Sequence, residues 1–374
     1  MIFRLLFLTI IAVHPIQIPF IDQAILIAKS TTNMTILTNQ TCQQCLCRFH
    51  SAYTALNWFS NNTCQLFYSY PRVYTVDGLS NARLYFLQGI FPNASECCMS
   101  NSYVFQQLDT APTIRTNVSK PRCLVIDNYG YLVTVSQKTK DIIRLYPANL
   151  SIVNQTTSPV FTDTPTSISY YDEAYYIGFD IYILILHTNN FSVLANITTA
   201  SLLFSRDIGL LHNGQIMIVL STGNNYILFF NRTDNVSRQY TYLDQQLVTY
   251  PSPHGFWYVN DTYFYVTSWA TNSIYSYLAT NNITIWSENL FIDAGSTTSS
   301  PGGNHLTIDD CGRYWFALGA NGIYIFDQQG NLLKNESRIA SFIFHTLLTD
   351  DYVMYISDMV YNQIVRLDLN AICA

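Results

Sequence analysis

An all-β chain is predicted by three features of this sequence: its aromatic enrichment, its poverty in charge, and a strand-turn-strand-loop-strand pattern that returns roughly every 40 to 50 residues. The 374 residues include 28 Tyr and 22 Phe, while Asp, Glu, Lys and Arg together make up 11%. Aromatic and β-branched side chains fit a pleated, half-buried surface, and the Asn, Thr and Ser between them supply turns. With 49% hydrophobic residues, a chain of this length can fill one large core and one small one. The formal net charge of −6 leaves no basic footprint for phosphate, so nucleic acid is not an expected partner.

The first element is 1–28. Arg4 precedes an apolar run from Leu5 to Val13, which has the length and flank of a signal peptide. Apolarity continues to Ala28, but His14, Pro15, Pro19 and Asp22 interrupt it, whereas a membrane helix needs about 20 consecutive apolar residues. Secretion to the extracellular space is expected, with a membrane as partner only if this segment stays as an anchor.

The second element, 29–114, holds most of the cysteines. Cys42, Cys45, Cys47, Cys64, Cys97 and Cys98 lie close together, whereas Cys123, Cys311 and Cys373 are scattered. In a secreted chain the cluster reads as disulfide candidates, with Cys42-x-x-Cys45 as a zinc spacing in rivalry. Nine is an odd number, which leaves at least one thiol free or intermolecular. Glycan acceptors Asn-x-Ser/Thr begin at Asn33, Asn39, Asn61, Asn93, Asn117, Asn149, Asn154, Asn190, Asn196, Asn231, Asn235, Asn260, Asn282 and Asn335. That density fits a glycoprotein surface kept soluble by sugar in place of charge.

The third element, 115–374, carries the repeats. Copy one runs through 121–126, a turn at Asp127–Gly130, then 131–136 and 141–146. Later copies begin at Pro165, Ser205, Pro253, Gly303 and Phe342. Units of this length suit four short strands, and radial closure removes the open sheet edges, which predicts a six-bladed β-propeller behind a small disulfide-rich domain. The sixth copy stops after its third strand, so its outer strand is expected from residues before Pro121, at 103–109.

The repeat pattern, apolar-x-Asp-x-x-Gly-x-apolar-x-Val-(Ser/Asp) followed by Ile-x-x-(Phe/Tyr), resembles the NHL repeat over Pro121 to Asp368. Copies one and six match best, and copies two and four have Ala174 and Thr262 in place of the turn Gly. NHL repeats imply a six-bladed ring but span lyases, ligases and receptors. Upstream, Cys42-Gln-Gln-Cys45-Leu-Cys47 through Asn-Thr-Cys64-Gln-Leu-Phe67 resembles a PAN/apple module, with compressed spacing. That resemblance implies a cysteine-bearing helix stapled to strands, and protein or carbohydrate binding.

Aligning the copies puts Arg122, Thr166, Arg206, His254 and Asn304 at one repeat position, the start of the innermost strand, with Asp207 the acid beside it. Such positions rim a propeller's channel, where polar groups on fixed backbone can hold a small polar or anionic ligand. His254, His305 and His345 could make a three-His site like that of the NHL-type peptidyl-hydroxyglycine lyases. Adjacent strand residues point to different faces, however, which sets His305 apart from His254. Lactonase-like hydrolases use Glu, Asn and Asp around calcium, and inner-strand Glu is missing here. No Gly-x-Ser-x-Gly elbow, His-Glu-x-x-His or phosphate loop occurs. The expected function is an extracellular binding module, with no cofactor, whose partner is an extracellular protein, a carbohydrate or a small polar ligand. The alternative is a metal-dependent lyase or hydrolase working at the channel mouth.

Overall fold

The computed structural model describes residues 6–9, 17–28, 34–48, 55–67, 74–86, 99–153, 161–234, 237–280, 283–295, 298, 300–309, 311–349 and 352–369. The chain divides into two compact units, Met1–Met99 with Ile372–Ala374, and Ser100–Ala371.

Among the described residues, the first unit is an antiparallel sheet with one helix. Its strands are β1 (Leu6–Thr9), β2 (Gln17–Ala28), β3 (Met34–Leu37), β4 (Ala55–Phe59), β5 (Thr63–Phe67) and β6 (Tyr74–Phe86), in the order β1-β2-β6-β4-β5-β3. The segment read as a leader thus supplies β1 and β2. Helix α1 (Cys42–Arg48) starts at a capping box: Thr41 Oγ1 accepts from the Gln44 N–H, and Gln44 Oε1 accepts from the Thr41 N–H. Cys45 on α1 is bonded to Cys64 on β5, and both are wholly buried with Leu56, Leu66 and Tyr85. Closing a loop of this length contributes about 3 kcal/mol by restricting the unfolded chain. The disulfide rules out Cys45 as a zinc thiolate. Cys42, expected in a disulfide, is instead a free thiol lying 3.1 Å from the Tyr85 hydroxyl. The side chain of Cys47, together with Cys97 and Cys98, lies outside the described residues.

The second unit begins with helix α2 (Asn101–Thr110), capped by the Ser100 hydroxyl, which accepts from the Tyr103 N–H. Six antiparallel sheets follow. The first holds β8 (Pro121–Ile126), β9 (Leu132–Ser136) and β10 (Asp141–Leu145), and the second β11 (Ser167–Tyr171), β12 (Ala174–Gly178), β13 (Tyr182–His187) and β14 (Val193–Thr198). The third holds β15 (Ser205–Leu211), β16 (Ile216–Ser221), β17 (Tyr226–Asp234) and β18 (Gln239–Leu247). The fourth holds β19 (Pro253–Asn260), β20 (Tyr263–Ser268), β21 (Ser273–Ala279) and β22 (Trp286–Asp293). The fifth holds β23 (Gly303–Ile308), β24 (Tyr314–Leu318), β25 (Ile323–Phe326) and β26 (Leu332–Glu336). In the last, β27 (Ile343–Leu348), β28 (Val353–Asp358) and β29 (Gln363–Asp368) are completed by β7 (Thr113–Asn117).

The first strands neighbour one another in the cyclic order β8, β11, β15, β19, β23, β27 and back to β8, so the sheets close a ring. The sequence placed the closing strand at 103–109. Those residues are helical in α2, and the strand is β7, whose Thr113 and Asn117 pair with Leu367 and Gln363 of β29.

Buried aromatic and aliphatic side chains fill the wedge between successive sheets, as where Tyr176, Met217 and Phe230 meet Ala195 and Ile208. Polar latches repeat as well. The Ser/Asp of the repeat pattern ends the second strand of a sheet and reaches back to the segment before the first. Ser136 Oγ donates to Ser119 O, Ser221 Oγ to Leu203 O and Ser268 Oγ to Pro251 O, while Asp358 accepts from the Ser341 N–H and hydroxyl. Adjacent sheets are also tied through turn carboxylates. Asp127 accepts from the Tyr175 hydroxyl at 2.6 Å and pairs with Arg144 at 3.3 Å, and Asp309 pairs with Arg313, whose Nη2 donates to Tyr352 Oη.

Candidate functional site

Arg122, Arg206, His254 and Asn304 are each the second residue of an inner strand, β8, β15, β19 and β23. In each of these strands, pairing with the next strand slips at that point, between Pro121 and Leu124, Ser205 and Ile208, Pro253 and Phe256, and Gly303 and His305. A bulge re-aims the side chain it carries. The four side chains converge on a cavity of about 280 Å³. Phe344, second residue of β27, joins them through the same slip between Ile343 and His345. Strand β11 pairs without a slip, and Thr166 just before it stays outside the cavity, buried and donating to Gly178 O.

The remaining wall comes from other parts of the sheets: Thr222, Trp269 and Met359 from the hairpins after second strands, and Ser252 and Phe342 from the connections between sheets. Repeat alignment missed these because they do not share the inner-strand position. Phe344 did share it, but an apolar residue gave no chemical signal. A wider recess of about 470 Å³ bounded by Lys120, Gln137, Lys138, Thr164 and Asn362 has exposed lysines and no buried charge.

Two guanidiniums dominate the cavity. Arg122 is 7% exposed and lies 4.4 Å over the Phe344 ring. Its Nη1 meets only the weak acceptor Met359 Sδ, at 3.3 Å, and its Nε has no partner. Among the described residues neither Arg122 nor Arg206 forms an ion pair, although Asp180 acts on both through space. Burial, then the Arg206 charge, pushes Arg122 down to about 10, and burial lowers Arg206 as well.

The acceptors sit opposite. His254 Nδ1 is 3.2 Å from Asn304 O, which can only accept, so Nδ1 carries the proton and Nε2 is the ring's acceptor. Gly255 permits this approach, since a Cβ there would stand 2.4 Å from Asn304 O. Asn304 donates through Nδ2 to Ile343 O at 2.7 Å and keeps its buried Oδ1 without a partner.

Asp207, expected beside these groups, does not line the cavity. One residue on from Arg206, its carboxylate is buried and accepts from the Ile208 and Phe256 N–H groups, tying β15 to β19. His305 and His345 stack on each other with ring centroids 3.6 Å apart, outside the cavity. Burial holds His254 and His345 well below the usual imidazole range and His305 down to about 3. Among the described residues, no three His, Cys, Asp or Glu side chains are placed to hold a metal ion.

Burial raises Asp207 to about 7 against the inward pull of two N–H donors, whereas the unfolded carboxyl titrates near 3.9. The folded state therefore binds the extra proton between those values, and stability falls as pH rises from about 4 to about 7. The buried histidines work in the opposite sense, losing stability as pH falls through about 6.5. Asp207→Asn isolates the first effect. Relative to the parent, the variant is expected to gain stability between pH 4 and 7 in urea titrations, and parallel pH profiles would refute the assignment.

No family model matches the chain, and no curated protein matches it. Solved structures do. Regucalcin from Agrobacterium tumefaciens strain C58, described as a calcium-binding protein, aligns over 67% of this chain and 90% of its own at 12% identity, with a TM-score of 0.50. A luciferin-regenerating enzyme aligns over 69% of this chain and 95% of its own at 10% identity, TM-score 0.53. The β-propeller domain of Myceliophteria thermophila Cps50 (Swd1) aligns over 69% and 99% at 8% identity, TM-score 0.51. At such identities the likeness concerns fold alone: the second unit is a β-propeller.

Proposed function

We propose that the chain is a secreted or cell-surface N-glycoprotein whose propeller, six-bladed and NHL-like, is an extracellular binding module taking an anion-bearing polar ligand at its channel mouth. One observation carries this reading: two converging guanidiniums, one almost wholly buried, stand in a cavity with no carboxylate in its wall. A buried charge left without a partner costs several kcal/mol, and an incoming anion relieves that cost. The catalytic alternative would need a converging metal set or an acid-base pair, and Asp207 is committed to backbone donors.

The test is thermal melting of the secreted protein in rising inorganic phosphate at constant ionic strength. Melting is expected to rise with concentration as binding to the native state demands, and Arg206→Ala to abolish the rise. Identical melting with and without phosphate would sink the anion reading.

The extracellular reading includes a PAN/apple-like first unit, supported by the Cys45–Cys64 staple between helix and strand. It also draws on the acceptor sites. Of the nine sequon asparagines among the described residues, eight are exposed and Asn231 is half-buried, so glycans need not enter the core. Expression in a secretory host is expected to give a product many kilodaltons heavier than its polypeptide, collapsing on glycosidase treatment. N-terminal sequencing would locate any cleavage; a cut after Ala28 removes β1 and β2 from the first sheet. Recovery of reduced, sugar-free protein from the cytosol would overturn the compartment.

A further inference from the structure

The cavity opens on one particular face of the ring. In an antiparallel meander, hairpins between second and third strands and the connections between sheets emerge on one face, and the other hairpins on the opposite face. Thr222, Trp269, Met359, Ser252 and Phe342 all belong to the first set. Several sequons lie toward the opposite face. Asn149, Asn190, Asn235 and Asn282 fall in the segments after the third strands of the first four sheets, and Asn260 ends β19 at an opposite-face hairpin. None of the six segments between second and third strands contains a sequon; Asn117, Asn196 and Asn335 stand near the ends of the outermost strands, and Asn154 in the segment leading to β11, at the outer margin of the cavity face.

The cavity face exposes apolar side chains: Ile181, Phe204, Trp269, Val360 and Tyr361, the last 64% exposed. These side chains offer apolar contacts to a partner chain that reaches the cavity from outside.

We infer that this face docks the C-terminal tail of a partner protein, with the terminal carboxylate held between Arg122 and Arg206. The inference rests on the anion reading above and adds the ligand's remaining chemistry. His254 lines the cavity and keeps Nε2 as its ring acceptor, which suits a ligand that brings a hydrogen-bond donor close to its anion. The amide N–H of a terminal residue is that donor. A free amino acid would bring an α-ammonium beside two guanidiniums with only Asp180, outside the cavity wall, to offset the three charges, which disfavours it. Phe342, Phe344 and Met359 offer an apolar wall to the last side chain. The volume equals about nine waters at about 30 Å³ each, room for one residue, so the preceding residues must cross the rim.

The experiment is titration calorimetry on the secreted full chain with acetyl-Gly-Gly-Phe bearing a free carboxylate, the same peptide amidated, an amidated peptide with an internal Asp, free phenylalanine and inorganic phosphate. The free-carboxylate peptide is expected to bind at least tenfold more tightly than its amide and than free phenylalanine. Arg206→Gln is expected to erase that difference, and Tyr361→Ser to weaken the peptide at least threefold while leaving phosphate unchanged. Equal binding of the amide, or equal binding of phenylalanine, overturns the proposal. Binding of the internal-Asp peptide as tight as that of the free tail replaces it with recognition of an acidic loop. Phosphate binding without peptide binding overturns the tail but leaves the anion site standing; the absence of both defeats the two together.

Discussion

Deleting Thr113–Asn117 is expected to unfold the entire propeller rather than trim it. Strand β7 pairs with β29 along its whole length, and the Val118 N–H donates to Asn362 O just beyond it. Without β7 the last sheet exposes β29 as an open edge, and only the packing of β27 and β28 on β8 still joins the last sheet to the first. Truncation at Ala340 removes β27, β28 and β29, three of the four strands of the last sheet, and is expected to do the same, because β27 packs between β23 and β8. Near-ultraviolet circular dichroism and sedimentation provide the readout. A monomer that melts within a few degrees of the parent would show that the ring does not act as one cooperative body.

Asp309→Ala is expected to destabilise the propeller by about 3–5 kcal/mol, the range for breaking a buried ion pair from one side. The Asp309 carboxylate takes Arg313 Nε at 2.6 Å and Trp315 Nε1 at 2.9 Å, and it also accepts the Cys311 and Arg313 N–H groups. Removing it takes the carboxylate from a guanidinium that is 4% exposed, which keeps the neutral acceptors Asn101 Oδ1 and Tyr352 Oη, and from an indole N–H that is wholly buried. Asp309→Asn keeps an acceptor for the N–H groups but not the charge, and is expected to fall between the two. The comparison uses denaturant midpoints at unchanged slope. A loss below about 1 kcal/mol for the Ala variant would mean that Arg313 relaxes to solvent.

Much of this fold was legible because the repeat is written in turn and strand residues. The copies read at Pro121, Ser205, Pro253 and Gly303 open β8, β15, β19 and β23 without a residue of error, and those read at Pro165 and Phe342 open two residues and one residue early. The closing strand was not legible. Thr113-Ile-Arg-Thr-Asn117 alternates exposed and half-buried positions with one apolar residue, whereas 103–109 carries the aromatic and apolar residues that suit a strand but lies behind the helix cap Ser100.

The site was half legible. Four of its residues share a repeat position, which alignment alone recovers. Asp207 was misplaced because alignment cannot see which side of a bulged strand a neighbour takes. Trp269 and Met359 stand on hairpins of equal length but different composition, outside the inner-strand position that the alignment follows.

Ring closure also governs how the protein is made. Thr113 leaves the ribosome early, but its partner Leu367 is 254 positions downstream. At about 5–20 residues per second, β7 waits roughly 13–50 s for a strand to bind. Throughout that interval the growing sheets form an open arc with an adhesive edge at each end, and any premature stop codon before β29 leaves the arc permanently open. Biosynthesis is therefore all-or-nothing: truncated messages yield aggregation-prone material for degradation and no shortened working product.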